Sequence, residues 1–320
     1  MTDFLDGKKI VIFGGSGFIG RHLINNLCRY SCYVEIVTRK TKKLNEIRFL
    51  GGLGQVKVTS ISDYKEKYIS EIIHDTDVVV NLIGILFEKK SNEFLTVHKE
   101  IPGIIAKVCK FKKVESLIHI SALGIDKNKF SKYASSKLEG EKEVKNEFSN
   151  SIIIRPSVVF GKEDNFINLF SKISKISPFL PIIGTPKIEY RKNRLFPIID
   201  FKRGVNFQPI YVGDLAKFII NTINEKNKIY DLAGPNVVSF QEIIKLILKN
   251  NKRKRLCLPI PLILASFIAY FLEKLPYPLL TIDQVKLMNN DNVSNKGFKN
   301  LIKKVANPKS LEVILPTYIQ

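Results

Sequence analysis

The chain has 320 residues, of which 45% are apolar and 25% charged, the balance of an ordinary soluble globular protein. That length suits one large α/β domain, or one domain with a smaller lobe. The 51 Lys and Arg against 30 Asp and Glu give a formal charge of +21, which either marks an anionic partner (nucleic acid, anionic lipid or anionic cofactor) or reflects a general bias toward Lys, Asn and Ile. Residues 1–7 carry acids and no apolar core, so they read as neither a signal nor a transit peptide. The four cysteines form no C-x-x-C pair and the four histidines show no metal-ligand spacing, so we expect reduced thiols and no metal.

The first element carries the most information. Lys8 to Phe13 is a β-branched run that ends in Gly14-x-x-Gly17-x-x-Gly20, and Leu23, Ile24 and Leu27 then share one face of a helix. A strand, a tight glycine turn and a helix N-terminus in this order let a pyrophosphate approach the backbone N–H groups between Ser16 and Gly20. The expected ligand is a dinucleotide.

Further strands are predicted at 34–38, 55–60, 77–83, 116–121 and 151–155, with helices at 93–111 (Pro102 a kink or an early-turn residue) and 132–148. This alternation predicts a Rossmann-type doubly wound parallel sheet with helices on both faces. Past Phe160-Gly161 the texture changes, so a boundary is expected there: residues 1–160 form the nucleotide-binding domain and 161–320 a smaller mixed lobe partly interleaved with it. In that second part a strand is expected near Gln208 to Val212, a helix over 213–223, a strand over 229–232 and a helix starting at Ser239. Residues 256–272, apolar and preceded by Lys252-Arg253-Lys254-Arg255, are too short and too rich in proline to span a bilayer. Two readings stay open: a helix packed on the core, or an element lying on an anionic membrane surface.

The end of the second strand reads Thr38-Arg39-Lys40, where dinucleotide sites that bind a ribose 2′-hydroxyl carry an acid. Arg39 and Lys40, with Arg21 nearby, suit a 2′-phosphate, so NADP(H) is favoured over NAD(H); Asp63 is placed to meet the adenine edge. Tyr133 and Lys137 lie four apart on one helix face. The ammonium is expected to lower the phenol's pKa and make Tyr133 a general acid or base, with Lys137 also free to hold the nicotinamide ribose.

On these motifs the chain resembles an extended, atypical short-chain dehydrogenase/reductase of the NAD-dependent epimerase/dehydratase kind. Asn81-Leu82-Ile83-Gly84, the Tyr133/Lys137 pair and Arg155 to Gly161 add to the likeness. Within the superfamily it most resembles the branch that includes the nucleotide-binding accessory subunit of respiratory complex I, through strings such as Gln208 to Ala216, Asp231 to Pro235 and Thr281 to Val285. The resemblance implies nucleotide contacts at Ser16, Phe18, Ile19, Asn81, Ile83, Gly84 and Pro156. It also implies an NADPH-holding protein docked to a respiratory complex near the membrane and the quinone site, with the nucleotide structural rather than consumed; the expected location is cytoplasmic, or peripheral on the inner face of the plasma (inner) membrane. The catalytic Ser/Thr of the family falls at either Ser121 or Ala122; at Ala122 the hydroxyl that polarises a substrate carbonyl is missing. The alternative is an active oxidoreductase or sugar-nucleotide epimerase using Tyr133 and Lys137. Nucleic-acid binding ranks last, for want of a basic-aromatic module.

Overall fold

Alternating side chains of the first strand, β1 (Lys9–Phe13), already face two different cores. Ile10 and Ile12 enter one apolar cluster and Val11 and Phe13 another, because successive strand residues point to opposite faces. The computed structural model describes residues 4–39, 49–189, 198–200 and 204–319. Within them β2 (Tyr33–Thr38), β3 (Val56–Ser60), β4 (Val78–Asn81), β5 (Ser116–Ile120), β6 (Ile152–Pro156) and β7 (Lys228–Leu232) join β1 in one parallel sheet of order β7-β6-β5-β4-β1-β2-β3. The order reverses between β1 and β4, the point at which open α/β sheets form a ligand crevice beyond their carboxyl ends.

Helix α1 (Phe18–Leu27) covers one face together with Val212–Asn221 and Asn295–Ile302. Glu66–Ile72, α2 (Ile101–Phe111) and α3 (Lys132–Glu147) cover the other. The expected helix over 93–111 is interrupted: Thr96–Glu100 forms a π-helical turn, and Pro102 sits in the first turn of α2. Pro102 has no N–H to donate back to the His98 carbonyl, so the i−4 ladder breaks there.

The second lobe has its own core. Rings of Phe166, Phe170, Phe207 and Phe240 meet at 5.3–6.2 Å, contacts worth about 0.5–1.5 kcal/mol each beyond the area they bury. Ser239 and Glu242 close a capping box on the helix Phe240–Asn250. The chain returns to the main sheet at 212–232 and 295–305, so the two parts are threaded through one another.

Residues 256–272 are two elements rather than one apolar helix. Leu256–Ile260 is a strand paired in parallel with Phe179–Ile183, and α4 (Leu262–Leu272) follows Pro261. Only Ala265 and Ala269 of α4 are buried; Ile263 is 86% and Phe267 64% exposed, and Leu264, Tyr270 and Phe271 also face outward. No helix among the described residues is long and apolar enough to cross a membrane.

Candidate dinucleotide site at the carboxyl edge of the sheet

The glycine turn is built as a close fit. Gly14 has φ +77°, and a Cβ there would meet the Leu82 backbone at 3.1 Å. A Cβ on Gly20 would fall 2.3 Å from the Gly15 carbonyl oxygen, and one on Gly17 3.2 Å from that of Gly14. Only glycine lets α1 start this close to β1. Gly17 is exposed, and no side chain caps the helix it opens, so the first-turn amides of Phe18, Ile19 and Gly20 are presented at the crevice. Ser16 Oγ is fixed beside them by Thr38 Oγ1 at 2.6 Å. The turn thus offers the cradle that a pyrophosphate needs.

At the adenosine end Arg39 is exposed just past β2. The one acid of β2, Glu35, is buried in mid-strand. Burial opposes its charge, but hydrogen bonds from Thr59 and Lys57 and the charge of Lys9 outweigh that and hold its pKa low. It therefore does not serve as the ribose acid. Asp63 follows β3 and pairs with Lys65 at 2.8 Å. Lys40 lies outside the described residues. The Arg21 guanidinium, expected to add to the 2′-phosphate pocket, pairs with Glu163 at 2.6 Å and ties α1 to the loop after β6.

At the other end Asn81 closes β4, its Oδ1 accepting the Ile83 N–H at 3.0 Å and its Nδ2 donating to His119 Nδ1 at 3.2 Å. Exposed Gly84 lies over Lys137, whose Nζ is 3.3 Å from where a Gly84 Cβ would stand. Lys137 Nζ donates to the Ile120 carbonyl at 3.1 Å. Pro156 is buried at the end of β6, and its carbonyl accepts the Leu123 N–H at 2.9 Å. Ser121 is buried with an unpartnered Oγ. The turn, the Asn81–Gly84 segment, Ser121 and the Tyr133/Lys137 helix thus converge at the carboxyl end of β1, β4 and β5.

Two histidines that the sequence reading passed over complete this end. His98 is fully buried on the π-helical turn, stacked on Phe94 and edge-on to Tyr133. Its Nε2 accepts the Ile85 N–H at 3.2 Å, so Nδ1 carries the proton and donates to Ser136 Oγ at 2.9 Å; that hydroxyl donates in turn to the Tyr133 carbonyl at 2.9 Å. Gly140 lets α3 approach closely, since a Cβ there would lie 1.7 Å from the His98 carbonyl oxygen. His119, on β5, is also fully buried, with Nε2 unpartnered. Burial, followed by the charge of Lys137, holds His98 down at about 2 and His119 at about 3, so both are neutral. The signal available for His119 was a lone polar residue inside the apolar run of β5.

The expected acidification of Tyr133 is reversed. Burial, followed by the Asp283 carboxylate, pushes its phenol up to about 12, while burial lowers Lys137 to about 8 against an opposing pull from Glu141. Desolvation penalises the charged form of each group, and the Asp283 carboxylate rather than the Lys137 ammonium is the charge that acts on the phenol. Asp283 itself lies in the second lobe. Its carboxylate accepts Ser131 Oγ at 2.7 Å, Lys132 N at 2.7 Å and Tyr133 N at 3.1 Å.

This sheet order, glycine turn and Tyr/Lys helix define a nicotinamide-dinucleotide-binding Rossmann protein of the epimerase/dehydratase-like short-chain dehydrogenase/reductase class. A family model described as NAD(P)H-binding matches residues 14–171. The solved structure of UDP-glucuronic acid 4-epimerase from Bacillus cereus, in complex with UDP-glucuronic acid and NAD, superposes with a TM-score of 0.72 at 19% identity, over 97% of this chain and 98% of that one. The chain is 30% identical over 314 residues to NADH dehydrogenase (ubiquinone) 1 alpha subcomplex subunit 9, mitochondrial, of Mus musculus, spanning 97% of this chain and 79% of that protein. It is 26% identical over 304 residues to the NADH-ubiquinone oxidoreductase 40 kDa subunit of Neurospora crassa, spanning 93% and 76%. The chain belongs to the NADH dehydrogenase (ubiquinone) 1 alpha subcomplex subunit 9 family.

Proposed function

We propose that this protein holds NADP(H) as a resident nucleotide within a respiratory assembly at a membrane surface, and that the nucleotide organises the fold rather than being consumed. In this reading Gly14, Ser16, Gly17, Phe18, Ile19 and Gly20 grip the pyrophosphate, and Arg39 with Lys40 receives the 2′-phosphate. Asp63 faces the adenine, and Asn81, Ile83, Gly84, Pro156 and Lys137 border the nicotinamide ribose. The second lobe, most of 161–320, is the docking part.

The observation that carries the reading is a complete dinucleotide cradle in one chain with an outward-facing apolar helix, α4, flanked by Lys252 to Arg255 and Lys274. Exposed aromatic and aliphatic side chains beside a cationic run match an anionic lipid surface. A resident rather than consumed nucleotide fits a Tyr133 phenol held near 12, since a general acid or base works best with a pKa near the working pH. The relatives named as NADH dehydrogenase subunits supply the respiratory setting.

The test has two arms. Titration calorimetry should give tighter binding of NADPH than of NADH, and equal affinities contradict the cofactor assignment. Flotation with vesicles containing anionic lipid should carry the wild type at low salt, release part of it at high salt, and lose Phe267→Asp. Equal flotation of both proteins contradicts the surface assignment.

A second reading, an active oxidoreductase or sugar-nucleotide epimerase, is favoured by one observation: Tyr133 and the buried Lys137 occupy one face of α3, and Lys137 Nζ reaches the Ile120 carbonyl next to the unpartnered Ser121 hydroxyl. Hydride transfer that Tyr133→Phe abolishes would establish it.

A further inference from the structure

Asp283 stands at the N-termini of two helices at once. It is in the first turn of α5 (Ile282–Leu287), whose own cap is the Thr281–Gln284 box, and its carboxylate also accepts three donors at the start of α3. Two of these are backbone amides that α3 cannot satisfy internally. An anion there also meets the positive end of a 16-residue helix. Tyr133 is the residue whose amide it holds, and Lys137 lies one turn further along the same helix. On its other side α5 packs against α4, with Val285, Ala265 and Ala269 in one apolar cluster, and Glu273 Oε2 just past α4 accepts the Ile282 N–H at 3.2 Å. Hydrogen bonds therefore run from the end of the exposed apolar helix, through Ile282 and Asp283, to the helix that borders the nucleotide crevice.

We propose that Asp283 is an interlobe positioning residue: it sets the start of the Tyr133/Lys137 helix, and through it nucleotide occupancy and the set of the apolar helix 262–272 are linked. The linkage is reciprocal, so whatever engages α4 alters nucleotide affinity by the factor by which the nucleotide alters that engagement. The inference deepens the proposed function by naming how its two halves communicate. Asn292 Nδ2 on the Leu123 carbonyl at 3.0 Å and Asn290 Nδ2 on Asn128 Oδ1 at 3.0 Å hold the same lobe contact independently, so Asp283→Asn removes the charge without opening the interface.

Hydrogen exchange of the full chain, read peptide by peptide with and without NADPH, tests this. In the nucleotide-free protein, Asp283→Asn should speed exchange of the 132–134 amides at least tenfold while the main-sheet peptides stay at wild-type rates. With saturating NADPH the wild type should be protected at 14–21, 132–140, 281–287 and 262–272. Asp283→Asn should keep protection at 14–21 and lose it at 281–287 and 262–272, with NADPH binding weakened three- to tenfold. Glu273→Ala, which leaves α3 untouched, should lose the response at 262–272 alone, and it serves if Asp283→Asn fails to fold. Unchanged exchange at 132–134 in nucleotide-free Asp283→Asn overturns the proposal. So does wild-type protection by NADPH confined to 14–21 and 132–140. Absence of NADPH protection at 14–21 overturns the nucleotide reading instead, while the nucleotide-free arm still decides the role of Asp283.

Discussion

The more apolar of two helices in this chain is the more exposed. In α2 the side chains of Ile101, Ile105, Ala106, Val108 and Cys109 are buried, although two lysines interrupt the run. In α4 every residue but Ser266 is apolar, and only Ala265 and Ala269 are buried. The difference lies in the neighbours. Helix α2 is enclosed by the seven-stranded sheet and α3, whereas α4 packs on α5 and gives only its two alanines fully to the second apolar cluster. Apolar sequence supplies the tendency to leave water, but the architecture decides which surface is covered within the chain.

The sharpest way to break this comparison is a pair of truncations. Ile105→Ala should cost about 3–4 kcal/mol in denaturant unfolding, because it opens a cavity in a closed core. Phe267→Ala should stay within about 0.5 kcal/mol of wild type. Comparable losses from both would mean that α4 is covered within the chain after all.

The buried charge at the site is the next largest effect. Lys137 sits at about 8 in the folded chain against an ordinary 10.5, so between those values the unfolded chain binds a proton that the folded one does not. Its contribution to stability is therefore unfavourable below pH 8 and is relieved as the pH rises to 10.5. The gap between nucleotide-free wild type and Lys137→Met should shift in favour of wild type by on the order of 3 kcal/mol across that window, read as urea midpoints. Tyr133 titrates in both proteins, so its effect cancels from the difference. A flat gap contradicts the burial argument.

At the exposed end of the crevice the effect should be smaller. Arg39→Ala should weaken NADPH about tenfold and leave NADH almost unchanged, since a single exposed guanidinium facing a phosphate contributes on the order of 1–2 kcal/mol. Equal losses for both nucleotides would move Arg39 away from the 2′-position.

Much of this was legible in the sequence, and the exceptions share a cause. The glycine spacing, the β-branched runs and the helical periodicity after them gave the sheet and its crevice, because those patterns are local and each residue's neighbours lie within a turn or a strand. The phenol's direction of shift was not legible. It depends on how deeply α3 is covered and on a carboxylate 150 residues away in sequence, at Asp283. The Glu163 partner of Arg21 was not legible either, because nothing near Arg21 in sequence announces it. His98 joined the site through a π-helical turn that Pro102 forces and Gly140 accommodates, a pairing visible only once the two helices meet. The apolar run of 256–272 was visible from the start, but not that Pro261 divides it or that only its alanines are fully buried.

The proposed function requires a resident nicotinamide dinucleotide whose adenosine end is phosphorylated. Native protein purified from its own cells without added nucleotide, then denatured and its released small molecules identified by mass spectrometry, tests this directly. NADP(H) is expected at close to one equivalent per chain; NAD(H) in its place, or no dinucleotide at all, would contradict the proposed function.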